Sequence, residues 1–183
     1  MIEQPSPSPI RLAGLRLLAR DATAQRDFYE KILGLPVTAD SGESVTVRSN
    51  GTAITFVEVP LDPGVNRLDP YYHFAFNIPE NQVNEALDWT RARVPIIKNA
   101  EGNEIVFFES WNAHAFYFFD PAGNIVEFIA RHTLTNASTR PFGPASILEA
   151  SEIGLVVQDV AAATRQIERD LGATPYRPPS PEF

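Results

Sequence analysis

The sequence predicts an α+β fold made of consecutive β-α-β-β-β modules, two complete and one partial. Three observations predict it. A short alternating strand, then an amphipathic helix, then three further strands can be read over residues 11–59 and again over 70–131. Tight-turn residues punctuate both stretches, as Asn50-Gly51 in the first and Asp120-Pro121-Ala122-Gly123-Asn124 in the second. A third start follows, in which Glu152 through Asp159 repeats the register of Gly14 through Asp21 at an offset of 138 positions (159 − 21).

Each element has a local reason. Leu12 to Arg20 alternates loosely and is short enough for a strand, and Asp21-Ala22-Thr23 then offers a helix N-cap. Phe28, Tyr29, Ile32 and Leu33 give that helix its apolar stripe, and Gly34 stops it. Strands follow at Leu35–Thr38, Ser44–Ser49 and Ala53–Val59. A loop with Pro60, Pro63, Gly64 and Pro70 leads to a strand at Tyr71–Ile78. Pro79 is expected in the first turn of the second helix, whose stripe is Val83, Ala86, Leu87 and Thr90. Strands at Pro95–Lys98, Glu104–Glu109, His114–Phe119 and Asn124–Ala130 complete the second module. Residues 132–147 read as a linker. Residues 148–183 read as the strand and helix of a third module, with Val160, Ala163, Ile167 and Leu171 as its stripe and Gly172 in the place of Gly34. A generic helical tail is the plainer reading of that last segment. Residues 1–10, rich in Pro and Ser, read as a disordered lead.

Composition narrows the function. The 183 residues are 44% apolar and carry a net charge of −8, so one well-buried core is expected and phosphate neutralisation along a nucleic acid is not. There is no cysteine, which removes disulfides, thiolate metal sites and cysteine nucleophiles. No apolar run approaches the ~20 residues that span a bilayer, and the N-terminus lacks the pattern of a signal peptide. A soluble, cytoplasmic protein with a small-molecule ligand is the expectation, with neither nucleic acid nor membrane as partner. No Gly-x-Gly-x-x-Gly, phosphate loop or Gly-x-Ser-x-Gly is present.

The chemistry concentrates between Tyr72 and Arg131. Alternation turns His73, Ala75 and Asn77 to one face of their strand, and Ile125, Glu127 and Ile129 to one face of theirs. Both strands are largely apolar. A carboxylate at 127 in such a setting calls for a cation, a hydrogen-bond network or a proton. A divalent metal held by His73 and Glu127 meets that need, and so does a direct His73–Glu127 hydrogen bond. Arg16, sharing parity with Gly14, offers a third solution as an inward guanidinium that could equally pair with an anionic ligand. His114 is a candidate acid/base group or an ordinary satisfied histidine. Trp111 and Tyr117 are candidates to line an aromatic pocket, or simply to pack.

The residues Asp27-Phe28-Tyr29, Leu33-Gly34-Leu35, Tyr72-His73-Phe74-Ala75-Phe76 and Asp120-Pro121-Ala122-Gly123-Asn124-Ile125-Val126-Glu127 resemble those of the vicinal oxygen chelate superfamily. This is the group of glyoxalase I, extradiol ring-cleaving dioxygenases, fosfomycin resistance proteins and bleomycin-binding proteins. The resemblance covers residues 11–131 and, more faintly, 148–175. It implies paired β-α-β-β-β modules forming a half-open barrel around a divalent ion (Fe, Mn, Zn or Ni), with His73 and Glu127 at ligand positions and Glu127 as ligand or base. A third ligand is expected seven residues before the helix-starting Asp of the first module, where this chain has Gly14. A further glutamate expected near Thr55 is also missing, and alternation sends Glu58 to the opposite face. Glu152 holds in the third module the place of Gly14, so it could supply a carboxylate or be a solvated strand end. Two functions are implied: a metal-dependent glyoxalase or dioxygenase acting on a small oxygenated substrate, or a metal-free protein that binds an aromatic or anionic ligand without turnover. A monomer and a homodimer are both compatible with the pattern.

Overall fold

The computed structural model describes residues 10–59 and 70–173. The expected lead at 1–9, most of the Pro60–Pro70 loop and the segment after 173 lie outside the described residues. The chain divides into two compact units, one spanning Leu12–Gly154 and the other combining Met1–Arg11 with Leu155–Phe183.

The larger unit opens with β1 (Gly14–Ala19) and α1 (Ala22–Asp27). The Asp21 carboxylate accepts from the Ala24 N–H at 2.8 Å, capping α1 as its position suggests. The helix does not run on regularly to Leu33. It widens into a π-helical turn over Phe28–Ile32 before Gly34 turns the chain at φ 71°. β2 (Val37–Asp40), β3 (Ser44–Arg48) and β4 (Ala53–Glu58) follow. Together they make a four-stranded sheet in the order β1-β4-β3-β2, with β1 and β4 parallel.

The second module contains β5 (His73–Ile78), α2 (Val83–Arg91), β6 (Ile96–Ile97), β7 (Val106–Phe108), β8 (Ala113–Phe119) and β9 (Ile125–Arg131). Pro79 lies outside α2, in a turn closed by the Gln82 N–H donating to the Pro79 carbonyl at 3.0 Å. The strand expected over Glu104–Glu109 is shorter because Glu109–Trp111 coils into a 3-10 turn that ends at Asn112 with φ 46°. β10 (Ala150–Ile153) completes this sheet, whose order is β10-β5-β9-β8-β6, with β7 also paired to β8. The partner on the open side of β5 is therefore β10 rather than β1. The two sheets do not close into a full barrel.

One core serves both modules. Phe74, Phe76, Phe116, Phe118 and Phe128 are fully buried in it together with Tyr29, Phe56 and Ile54. Tyr29 stacks on Phe56 at 4.9 Å and donates its hydroxyl to Asp120 at 3.0 Å, tying the first helix to the turn before β9.

The smaller unit contains α3 (Val160–Leu171). Asp159 accepts from the Ala162 N–H at 2.8 Å, and Gly172 ends the helix in the left-handed region at φ 65°. The start and stop residues shared with the first module thus carry the same local geometry in both places.

Candidate functional site

The Asp120–Asn124 turn fixes where the site residues fall. Asp120 accepts from the Ala122 and Asn124 backbone N–H groups at 2.9 and 3.0 Å and from the Asn124 amide at 2.7 Å. Gly123 adopts φ 78°, which this tight return requires. Asn124 then accepts from the Tyr72 N–H at 2.8 Å, and the Ile125 N–H donates to the Tyr72 carbonyl at 2.8 Å. With Tyr72 clamped there, His73 falls opposite Ile125, and Ala75 falls opposite Glu127. His73 Nε2 stands 2.8 Å from Glu127 Oε2.

The two faces of the second sheet differ. Phe74, Phe76, Phe116, Phe118, Val126 and Phe128 point into the main core. The other face carries Ala75, Ala113, Ala115 and Ile129, with Phe108, Trp111 and Tyr117 packed on them. On that second face one row crosses four strands: Tyr117 opposite Glu127, Glu127 opposite Ala75, and Ala75 opposite Glu152. Glu152 joins the row through an irregularity in β10. Ala150 pairs with Phe76 but Glu152 pairs with Ala75, a register shift that places one extra residue between them. In an unbroken strand Ala150 and Glu152 would share a face. The bulge keeps Ala150 in the core and turns Glu152 to the opposite side.

The row is electrostatically tense. The Glu127 side chain is only 2% exposed, and among the described residues its Oε1 has no hydrogen-bond partner. The His73 side chain is 46% exposed, so water reaches one side of the pair. The hydrogen bond to Glu127 raises the His73 pKa above its ordinary value, and the nearby charges of Glu127 and Glu152 add to this against the opposing effect of burial. Burial, reinforced by the Glu127 charge, raises the Glu152 carboxyl, while Arg131 and His73 pull it down. Tyr117 is pushed well above its ordinary value by burial and by the same two carboxylates. Its ring meets that of His73 edge-on at 5.8 Å.

The structure brings together four of the residues singled out in the sequence: His73, Glu127, Glu152 and Tyr117. Asn77 lies on the same strand face, but its amide donates to Glu149 at 3.1 Å. Trp111 borders the face from the 3-10 turn. Arg16 is on the first sheet, exposed and opposite Thr55, so it does not fill the role of a guanidinium beside Glu127. Gly14 is likewise on that sheet, opposite Ala53. His114 points to the other face of β8. There it stands 2.7 Å from His132, stacks on Phe107 at 4.6 Å, and lines a groove of about 570 Å³ with Glu80 and Asn84. Burial and His132 lower its pKa. Alternation from Tyr117 already sends His114 away from Glu127, so that signal was present in the sequence. Arg131 was not singled out, although alternation from Glu127 through Ile129 puts it on the site face. It pairs with Glu152, and its guanidinium lies 5.7 Å from the centre of the Trp111 ring.

Among the described residues no three His, Cys, Asp or Glu side chains converge closely enough to hold a metal ion. His73 and Glu127 meet, while Glu152 is drawn toward Arg131. Among the described residues no helix is long and apolar enough to cross a membrane.

Comparison with known proteins agrees with this architecture. The model of the Glyoxalase/Bleomycin resistance protein/Dioxygenase superfamily matches residues 11–128. The structure is similar to the lactoylglutathione lyase of Agrobacterium tumefaciens, with 22% identity and a TM-score of 0.52 over 69% of this chain and 95% of that one. It is similar to a glyoxalase/bleomycin resistance protein/dioxygenase from Nocardioides, at 18% identity and a TM-score of 0.52 over 76% and 93% of the two chains. It is also similar to a point mutant of the fosfomycin resistance protein FosX from Listeria monocytogenes, solved with Mn(II) and 1S,2S-dihydroxypropylphosphonic acid. That likeness has 19% identity and a TM-score of 0.50 over 68% and 92% of the chains. No curated protein matches the sequence. The family match spans the first module and the second as far as Phe128, including the turn that sets the register of β5 on β9, and the chain therefore belongs to the glyoxalase/bleomycin resistance protein/dioxygenase superfamily.

Proposed function

We propose that this chain is a glyoxalase/dioxygenase-like member of its superfamily that acts on a small oxygenated substrate at the face carrying His73 and Glu127, the two residues that would hold a divalent ion there. The observation that carries this reading is Glu127. Its carboxylate sits in the middle of an apolar sheet face with one oxygen turned to His73, while the other has no hydrogen-bond partner at bonding distance among the described residues and only the Tyr117 hydroxyl interacts with the carboxylate from the neighbouring strand. A buried, unpaired oxygen of this kind costs on the order of 1–3 kcal/mol, and more when charged. A cation beside Oε1 removes that cost. Imidazole and carboxylate are donors that Fe, Mn, Zn or Ni accept, and among the described residues no third His, Cys, Asp or Glu joins His73 and Glu127, so water or substrate would complete the shell.

A divalent ion held there supplies Lewis-acid polarisation of neighbouring substrate oxygens. The chain's own residues do the rest. Glu127, held through Oε2 by His73, would serve through Oε1 either as a ligand or as the base that takes a substrate proton. Tyr117 and Trp111 border the face and exclude water from one side. The raised Tyr117 pKa keeps its hydroxyl a donor throughout the neutral range.

Metal analysis of the full chain, purified without a histidine tag, tests this. Near-stoichiometric Fe, Mn, Zn or Ni that disappears in His73→Gln supports the reading. Protein that binds none of these, whatever is supplied, refutes it. One observation favours a second reading, a metal-free protein that binds a small ligand without turnover: the 2.8 Å His73–Glu127 contact already pairs one oxygen of the carboxylate. That reading requires ligand affinity indifferent to chelator.

A further inference from the structure

The face of the second sheet opposite Glu127 carries a second cluster of titratable groups. His114 enters it from β8, between Phe107 of β7 and Ala130 of β9, and His132 enters it just past the end of β9. Their Nδ1 and Nε2 atoms stand 2.7 Å apart, and the His132 backbone N–H donates to the Asn112 carbonyl at 2.9 Å. With Glu80, Val83, Asn84 and Ile105 they line the groove of about 570 Å³. The far rim is pinned. The Glu80 N–H donates to the Asn136 side chain at 2.9 Å, and Asn81 exchanges two 2.9 Å bonds with the Ser138 backbone. The hydrogen bond between the imidazoles fixes what they show a ligand. When both rings are neutral, whichever one donates the shared proton, the outer nitrogens are one N–H and one lone pair. Burial and His132 hold the His114 pKa down, which favours this neutral form. The remaining ionisable group in the lining is Glu80, whose carboxylate has no ion-pair partner among the described residues.

We propose that this groove binds the primary ammonium group of a small alkylamine, with the hydrocarbon stem along Val83 and Ile105. An ammonium has three N–H donors and no acceptor. The groove offers three kinds of acceptor, the Glu80 carboxylate, the Asn84 amide oxygen and the imidazole lone pair, together with one negative charge. Val83 and Ile105 are partly buried apolar side chains that pack on the core, so they give the stem a fixed wall. An anionic ligand would meet the Glu80 charge. A bare metal ion would lack ligands, since among the described residues no three His, Cys, Asp or Glu side chains converge. The net charge of −8 draws cations toward the protein. This site is independent of the chemistry assigned to His73 and Glu127, which lie on the other face of the sheet.

The test uses the full chain, isotopically labelled, with n-butylamine as the probe at about pH 7.5, where an ordinary imidazole is neutral. The imidazole resonances of His114 and His132 are followed by NMR, and n-butanol and butyrate, which share the stem, are the controls. Butylamine shifts both imidazoles saturably, while the alcohol and the acid at the same concentration leave them in place. Glu80→Gln keeps the side chain's shape, removes its charge and weakens butylamine binding by about tenfold. Asn84→Ala, at an exposed helix position, weakens it by a smaller factor. Circular dichroism confirms that each variant is folded. His73→Gln, on the other face, leaves butylamine affinity unchanged. Imidazoles that ignore butylamine, or respond equally to butyrate or butanol, overturn the proposal. So does an affinity that survives intact in Glu80→Gln or is lost in His73→Gln. None of these results bears on metal binding at His73 and Glu127, which the metal analysis above decides separately.

Discussion

The His73–Glu127 pair makes a sharp stability prediction in the metal-free protein. Truncating His73 to Ala removes the partner of Glu127 Oε2 and leaves a carboxylate whose Oε1 already lacks one. Breaking one side of a buried ion pair costs about 3–5 kcal/mol, because the remaining charge stays desolvated. Here His73 is half-exposed and its removal admits water to Oε2, so the low end applies and a loss of about 3 kcal/mol is expected. Replacing Glu127 as well, in a His73→Ala/Glu127→Met double variant, removes the stranded charge and fills its space. The double variant should recover at least about 2 kcal/mol relative to His73→Ala alone. Urea unfolding in the presence of chelator, followed by circular dichroism, measures all four corners of the cycle. If His73→Ala costs less than about 1 kcal/mol, or the two changes simply add, then Glu127 is not the isolated buried carboxylate described above.

Two further outcomes follow from the same geometry. The raised His73 pKa means that its pairing stabilises the fold fully below the unfolded value near 6.5 and is lost as pH rises through the higher folded value. The metal-free protein should therefore lose stability, by less than about 1 kcal/mol after solvent screening, on going from slightly acidic to alkaline pH. His114, with a lowered pKa, contributes the opposite slope below 6.5, so the effect is read as the difference between wild type and His73→Gln, and equal slopes in the two would sink it. Separately, Tyr29→Phe should cost about 1.5 kcal/mol, the lower end for a hydrogen bond to a charged group, because Asp120 keeps the Asn124 amide at 2.7 Å. An unchanged urea midpoint would show that the Tyr29–Asp120 contact does not tie the two modules together.

Much of this arrangement could be read from residue order because it rests on local periods. Alternation in His73–Ile78 and Ile125–Arg131 sets which side chains share a face, and the Asp120–Asn124 turn sets their register. The two helix caps at Asp21 and Asp159 are equally local. Non-local pairing was not legible. Nothing in the composition of β10 distinguishes pairing with β5 from pairing elsewhere, and the π-helical turn at Phe28–Ile32 leaves the apolar stripe intact. The β10 bulge is also silent, because an inserted residue changes the face of Glu152 without changing its neighbours in sequence. The Arg131–Glu152 pair depends on that bulge and was hidden with it. His114 was a different failure, since its parity with Phe116 and Phe118 already assigned it to the helix side of the sheet.

The bulge decides which face of its sheet Glu152 joins. In the first module the equivalent position is Gly14, on a sheet whose strands pair only among themselves among the described residues. No carboxylate from there enters the row. β10 takes the place beside β5 and hydrogen-bonds to it at both ends, from Gly154 to His73 at 2.7 Å and from Asn77 to Glu149 at 3.0 Å. Between these anchors the register slips by one residue, so Ala150 and Ile153 can fill the core while Glu152 faces outward. A regular strand would force a choice between packing Ala150 and presenting Glu152. Pairing of β10 with β5 therefore satisfies the core and adds a carboxylate to the face that carries His73 and Glu127.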